Sequence, residues 1–122
     1  MATILIVDDR REIRETLRQV LARCGYSVEI ASNGQEAINQ YRTIQPDVVL
    51  LDMFMPVMNG FDALFLMRQE FPNAKVIAVS GGGSNMGADA LREARSLGAR
   101  LTLQKPVARD VLLAAIEQLL AA

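Results

Sequence analysis

The chain has no histidine and only one cysteine, Cys24, among its 122 residues. A single cysteine cannot form an internal disulfide, and without histidine it cannot complete the ligand set of a zinc site. This cysteine usage is typical of proteins from reducing compartments. We therefore expect a cytoplasmic protein without structural disulfides or zinc.

The sequence also lacks a charge excess and a long apolar stretch. Its net charge of −1 gives no electrostatic reason to expect direct binding of DNA or RNA. No stretch approaches the about 20 apolar residues of a membrane-spanning helix. The N-terminus has only a short apolar run before acidic residues, unlike a signal peptide. We expect neither a nucleic acid nor a membrane as a direct partner.

The length of the chain fits one domain, residues 1–122. Short, continuous apolar runs that are rich in β-branched residues predict strands buried on both faces. The predicted strands span residues 3–7, 26–31, 48–51, 76–79 and 100–103. The second and the fifth have weaker patterns, so we place them nearer the edges of the sheet.

Amphipathic stretches separate the predicted strands. In residues 11–24 the apolar side chains recur at three- and four-residue steps, and Gly25 supplies a C-terminal stop. A second helix follows Asn33, which can act as its N-cap, and three more are predicted at residues 61–71, 88–97 and 108–120. Five strands alternating with five helices predict a three-layer α/β sandwich with a parallel sheet.

Charged residues follow three of the predicted strands. Asp8 and Asp9 follow the first, Asp52 the third and Lys105 the fifth. Because the carboxyl ends of parallel strands meet at one edge of a sheet, we expect one pocket with three carboxylates and one amine.

Each of these residues, taken alone, also has a purely structural interpretation. Asp8 or Asp9 could cap the first helix, and Asp52 could be an ordinary turn carboxylate. Lys105 could be a solvated surface lysine, and a serine before glycine, as at Ser80, is a routine start of a loop.

The motifs IVDD, LLDMFMPVMNG, VS and KP occur in that order, and at these spacings the chain resembles the receiver domain of two-component response regulators. The resemblance covers the whole chain, from Met1 to Ala122. It implies the flavodoxin-like doubly wound fold, whose five-stranded parallel sheet has the order 2-1-3-4-5. It also implies a switch that catalyses its own phosphorylation and dephosphorylation, and not a classical enzyme with an external substrate.

The resemblance implies that Asp52 is the phosphoacceptor and that the reaction depends on Mg²⁺, with Mn²⁺ as an alternative. Asp9 and Asp52 would bind the ion directly, the backbone carbonyl of Phe54 would add an oxygen, and Asp8 would act through water. The chemistry agrees, since a carboxylate and a phosphodonor repel each other until a cation neutralises the site, and Mg²⁺ prefers oxygen ligands.

Two further residues take roles in the same resemblance. The ammonium of Lys105 would compensate the charge of the phosphoryl oxygens during transfer. The hydroxyl of Ser80 would donate a hydrogen bond to the phosphoryl group and so trigger the switch. A cis peptide bond before Pro106 is typical of the family.

The implied partners are a sensor histidine kinase or a histidine phosphotransfer protein, and a downstream protein that binds the region from Ala88 to Leu120. The family's kinases usually dock on the first helix. Its exposed positions are expected to be basic on balance and comprise Arg10, Arg11, Arg14, Glu15 and Arg18. Two alternatives are a phosphorylation-independent scaffold and the receiver fragment of a longer response regulator.

The chain departs from the family pattern at several positions. Thr102 stands where an aromatic switch residue is usual, and Val107 replaces the common phenylalanine after KP. The signal could instead pass through the glycine-rich residues 81–87, and we expect residues 80–87 to form the most mobile loop. Phe54 and Gly82 offer no group to orient a hydrolytic water, which predicts slow autodephosphorylation.

Overall fold

The computed structural model describes residues 1–81 and 85–122, and within these ranges five strands alternate with five helices. The strands are β1 (Thr3–Val7), β2 (Ser27–Ala31), β3 (Val48–Asp52), β4 (Val76–Ser80) and β5 (Leu101–Gln104). The helices are α1 (Arg11–Arg23), α2 (Gly34–Ile44), α3 (Gly60–Glu70), α4 (Asn85–Ser96) and α5 (Arg109–Ala121).

The strands form one parallel sheet of order β2-β1-β3-β4-β5, which confirms the predicted fold class. The two weaker strands lie at the edges, as expected. Every residue of β3 and β4 is buried, whereas β2 is buried only at its last residue. Strands in the middle of a doubly covered sheet need apolar side chains on both faces, which explains their continuous apolar runs.

Successive side chains of a strand point to opposite faces, so the sheet divides the core into two clusters. One cluster packs strand residues such as Ile6 and Leu50 against Leu112 and Ile116 of α5 and Leu21 of α1. The other packs the alternate strand residues against α2, α3 and α4. The helices therefore cover both faces and leave the carboxyl ends of the strands open at one edge.

Helix boundaries differ from the sequence prediction by up to three residues. Helix α3 begins at Gly60 and not at residue 61, because the side chain of Asn59 accepts a hydrogen bond from the N–H of Asp62 at 2.9 Å. Asn33 caps α2 in the predicted manner by accepting from the N–H of Glu36 at 2.9 Å. Gly25 follows α1 with φ +93°, a conformation that favours glycine.

Two expectations concern residues outside the described ranges. The predicted mobile loop at 80–87 and the role of Gly82 both involve residues 82–84, which are not described. Among the helices that are described, none combines the length and the apolar character needed to cross a bilayer.

Candidate functional site

The carboxyl edge of the sheet brings the predicted site residues together. Asp52 and Ser80 are the last residues of β3 and β4, while Asp8 directly follows β1 and Lys105 directly follows β5. Carboxylate oxygens of Asp8, Asp9 and Asp52 all lie within 4.8 Å of one another. The residues at this edge thus come from four neighbouring strands that the doubly wound topology aligns.

Lys105 bridges the two buried carboxylates. Its Nζ lies 2.9 Å from Oδ2 of Asp8 and 3.1 Å from Oδ2 of Asp52. Asp8 is 3% exposed and Asp52 is 5% exposed, whereas Asp9 is exposed. One ammonium against three ionised carboxylates leaves a surplus of two negative charges in the site.

Backbone N–H groups complete the contacts of the buried carboxylates. Oδ1 of Asp52 accepts a hydrogen bond from the N–H of Phe54 at 3.1 Å, and Oδ1 of Asp8 accepts from the N–H of Arg10 at 2.9 Å. The N-cap of α1 is Arg10, so neither Asp8 nor Asp9 is the N-cap residue. The interpretation that Asp8 or Asp9 caps the first helix is therefore wrong, because α1 begins at Arg11, two residues beyond Asp9.

Two residues of α1 were predicted to be exposed but are half-buried, Arg14 and Glu15. The guanidinium of Arg14 turns back toward the sheet, where Nη1 donates a hydrogen bond to the backbone carbonyl of Asp8 at 2.8 Å. The predicted basic face of α1 is accordingly reduced to Arg10, Arg11 and Arg18, while Arg14 supports the loop that carries Asp8.

The environment shifts the pKa values of the central pair. Burial raises the pKa of the Asp52 carboxyl above its ordinary value, and the charge of Asp8 adds to this, whereas the Phe54 N–H and the Lys105 ammonium oppose it. Burial alone would lower the pKa of Lys105, but its contacts with Asp8 and Asp52 outweigh burial and raise it. Lys105 therefore stays charged, whereas the Lys105 ammonium and the Phe54 N–H do not fully offset the cost of burying the Asp52 carboxylate.

The donor set fits a hard divalent cation. Mg²⁺ prefers oxygen ligands, and three carboxylates with a surplus of negative charge provide both the atoms and the field that such an ion needs. Asp9 is exposed, so the cluster is open to solvent on one side. The described contacts of Phe54 involve its N–H and its ring, and a metal contact of its carbonyl remains a prediction.

Ser80 also lies at the carboxyl ends of the strands, and its hydroxyl is engaged by a neighbouring backbone carbonyl. The residue is fully buried, and its Oγ donates a hydrogen bond to the carbonyl of Gly81 at 3.2 Å. Its own carbonyl accepts from the N–H of Lys105 at 2.9 Å. To donate to a phosphoryl group on Asp52, the hydroxyl would have to give up its hydrogen bond to Gly81. The peptide bond between Lys105 and Pro106 is cis, as the resemblance implied.

Gly60 is a site residue that sequence reasoning missed. Its N–H donates to the carbonyl of Met53 at 2.9 Å, and a Cβ at this position would lie 2.3 Å from the carbonyl oxygen of Asp52. Only glycine permits this approach, so Gly60 fixes the loop that follows the Asp52 carboxylate. The available signal was the Asn59-Gly60 pair, which indicated a turn but not a close contact.

A cleft with a volume of about 560 Å³ opens beside the acidic cluster. Asp8, Asp52 and Lys105 line one part of it, together with apolar residues of α1 and of the segment between β5 and α5. No sequence pattern indicates this cleft, because its volume depends on how α1 packs against the segment between β5 and α5.

Comparison with known proteins adds to these observations. The family model described as "Response regulator receiver domain" matches residues 4–117. The chain is 40% identical over 105 residues to chemotaxis protein CheY of Thermotoga maritima, with 84% of each chain covered. It is 37% identical over 117 residues to response regulator MprA of Mycolicibacterium vanbaalenii, which covers 96% of this chain and 49% of that protein.

Solved structures agree with the sequence comparison. The crystal structure of a response regulator receiver domain protein from Clostridium thermocellum superposes with a TM-score of 0.92 at 31% identity. The match covers 99% of this chain and 95% of that chain.

Proposed function

Because the chain belongs to the response regulator receiver domain family, we propose that it is a phosphorylation-controlled signalling switch that spans residues 1–122 and accepts a phosphoryl group on Asp52. The phosphodonor in this proposal is a histidine kinase or a histidine phosphotransfer protein. The cysteine usage and the balanced charge support a cytoplasmic location and a protein as the downstream partner.

The observation that carries the proposal is the pairing of a buried carboxylate with an ammonium inside an acidic cluster. A carboxylate oxygen of Asp52 attacks phosphorus, and the bond between phosphorus and the donor nitrogen breaks. Lys105, 3.1 Å from Asp52 before reaction, holds the nucleophile and then compensates the charge on the transferred oxygens. An isolated turn carboxylate would have no such partner.

The acidic cluster has a second task in the proposal. Asp9 and Asp52 would hold Mg²⁺, or Mn²⁺ in its place, directly, Asp8 would act through water, and the carbonyl of Phe54 would add a ligand. A bound ion would supply positive charge that reduces repulsion between the carboxylates and the phosphodonor. The surplus of two negative charges supports this step, because Lys105 alone leaves the site uncompensated.

Phosphorylation then changes the surface that a partner binds. The hydroxyl of Ser80 leaves the carbonyl of Gly81 and donates to the phosphoryl group, and the partner distinguishes the two states through the region from Ala88 to Leu120. Thr102 is half-buried in β5 and cannot report the change by rotation of an aromatic ring.

The test uses wild-type protein and the Asp52→Asn variant, each incubated with acetyl phosphate and Mg²⁺ and followed by intact mass. We expect wild type alone to gain one phosphoryl group, and EDTA to prevent the gain. Equal gain in both proteins would show that Asp52 is not the acceptor.

Two other functions have a specific observation in their favour. Thr102 favours a phosphorylation-independent scaffold, for which partner binding would not change on phosphorylation. The match to half the length of response regulator MprA favours a receiver within a longer regulator. The gene context of the chain distinguishes the latter from a single-domain receiver.

A further inference from the structure

The cleft beside Asp52 has two chemically different parts. Asp52 and Lys105 lie in one part, and the other is lined mainly by apolar side chains, among them Ile13 and Leu17 of α1 and Val107 before α5. Three polar residues, Arg10, Glu12 and Thr16, also line the cleft on the side of α1. These three apolar residues are half-buried, so each already exposes apolar surface that a ligand would cover. Phosphoryl transfer as proposed above uses only the first part.

The size of the cleft suits a small molecule. Its volume of about 560 Å³ falls within the range of about 300 to 1,000 Å³ that is usual for ligand sites lined mainly by apolar groups with a few polar ones. The polar groups here include the nucleophile itself. A molecule that presents phosphorus to Asp52 therefore has its remaining atoms within reach of the apolar part.

Val107 is part of the lining of the apolar part. It follows the Lys105–Pro106 bond directly and contributes a short, β-branched side chain to the lining. A bulky side chain at this position would occupy space that is now open.

We propose that the apolar part of the cleft is a subsite for the leaving group of a small phosphodonor, and that the donor class is acyl phosphates with an aryl or branched apolar body. This inference rests on the proposed function, since it assigns a substrate class to Asp52.

The chemical step is balanced without a further reactant. An oxygen of the Asp52 carboxylate forms a bond to phosphorus while the bond between phosphorus and the acyl oxygen breaks. The acyl group departs as a carboxylate that keeps the bonding electron pair, so no proton transfer is needed. The apolar subsite binds the acyl body before and during this step.

The experiment compares benzoyl phosphate with acetyl phosphate as donors for wild type, Val107→Phe and Val111→Phe. Val111 is 52% exposed on α5 and does not line the cleft as far as the described residues define it, so its variant is the matched control. The measured quantity is the ratio of second-order rate constants for the two donors. Intrinsic donor reactivity cancels when this ratio is compared between variants.

We expect Val107→Phe to lower the benzoyl-to-acetyl ratio about tenfold, the effect of losing burial for part of one ring. Val111→Phe should leave both the ratio and the rate with acetyl phosphate unchanged. An equal ratio in wild type and Val107→Phe would overturn the inference while leaving the proposed function intact.

A second measurement does not depend on phosphorylation. Benzylphosphonate and methylphosphonate are titrated into Asp52→Asn protein and followed by amide chemical shifts. We expect only benzylphosphonate to shift the amides of Ile13, Leu17 and Val107, and the additional Val107→Phe substitution to abolish these shifts. Absence of the shifts would overturn the subsite even if neither donor phosphorylates the protein.

Discussion

Lys105 should stabilise the metal-free protein because it compensates two buried carboxylates at once. The Lys105→Met substitution keeps an apolar chain of similar length and removes the ammonium, with its charge and its hydrogen bonds to Asp8 and Asp52. Loss of one partner of a buried ion pair costs about 3 to 5 kcal/mol because it leaves an uncompensated charge. The Lys105 side chain is 18% exposed, so solvent screens part of this charge. We therefore expect the free energy of unfolding to fall by about 3 kcal/mol, the lower end of that range.

The Asp52→Asn substitution should have the opposite effect and raise the free energy of unfolding. Burial raises the pKa of Asp52, so the folded state holds the proton more tightly than the unfolded state. The stability linked to this group is present below its ordinary pKa of 3.8 and is lost as the pH rises through the raised value of the folded protein. At neutral pH the Asp52 carboxylate is thus destabilising, and asparagine removes its charge while Lys105 keeps its contact with Asp8 at 2.9 Å.

The assay is urea denaturation in EDTA, followed by circular dichroism at pH 7 and at pH 4. Arg100→Met serves as the control, because Arg100 is an exposed cation just before β5, at the amino ends of the strands and so away from the site. Its stability should stay within about 0.5 kcal/mol of wild type, as for other surface substitutions. The gain of Asp52→Asn should diminish at pH 4.

Two results would refute the electrostatic argument. One is a loss of less than about 1 kcal/mol for Lys105→Met, the value of an ordinary exposed ion pair. The other is a loss of stability for Asp52→Asn in EDTA at pH 7. That result would mean that the hydrogen bonds of the carboxylate, and not its surplus charge, dominate.

Three further predictions concern the same edge of the sheet. Mg²⁺ at about 100 times its dissociation constant should stabilise wild type by about 2.7 kcal/mol in thermal or urea unfolding. The same concentration should stabilise Asp52→Asn clearly less, and an equal gain in stability would exclude Asp52 as a ligand. Gly60→Ala should prevent phosphorylation by acetyl phosphate, because its Cβ would lie 2.3 Å from the Asp52 carbonyl oxygen, whereas Gly25→Ala, which has φ +93° but meets nothing within 4 Å, should lose stability and still be phosphorylated. Phe54→Asn should accelerate loss of the phosphoryl group in an intact-mass time course, because an amide can orient water; an unchanged rate would contradict this reading.

The sequence predicted the fold well because its signals are local. Continuous apolar runs marked the central strands, and the Asn33 side chain caps α2 as its position before the helix indicated. The order of the charged residues along parallel strands was enough to predict that Asp8, Asp52 and Lys105 would meet. Their roles in phosphoryl transfer still depend on the experiments above.

The remaining features depend on distances that sequence patterns do not contain. Arg14 has a long side chain that could reach solvent or the Asp8 carbonyl, and only packing decides between them. The close approach of Gly60 to the backbone of Asp52 and the hydrogen bond of the Ser80 hydroxyl follow from loop geometry. The cleft beside Val107 is likewise a product of how α1 and the β5–α5 segment pack.

Ser80 offers a route for the signal that does not need an aromatic residue at position 102. Its carbonyl accepts from the backbone N–H of Lys105, and its hydroxyl donates to the carbonyl of Gly81, so Ser80 links the backbone of Lys105 to Gly81, which precedes α4 in the chain. If the hydroxyl turns to a phosphoryl group, the Gly81 carbonyl loses its partner. The structural change then reaches Gly81 and α4 first, while Thr102 stays paired with Ala78 in the sheet.

This route predicts a local pattern of hydrogen exchange. Beryllium fluoride with Mg²⁺, which mimics an aspartyl phosphate, should change protection at Gly81 and in α4 of wild type. Ser80→Ala should still bind the mimic, seen as added thermal stability, but should lose the change in α4 because no hydroxyl is left to exchange partners. A full α4 response in Ser80→Ala would show that the signal leaves the site by another path, and unchanged protection in wild type would favour the phosphorylation-independent scaffold.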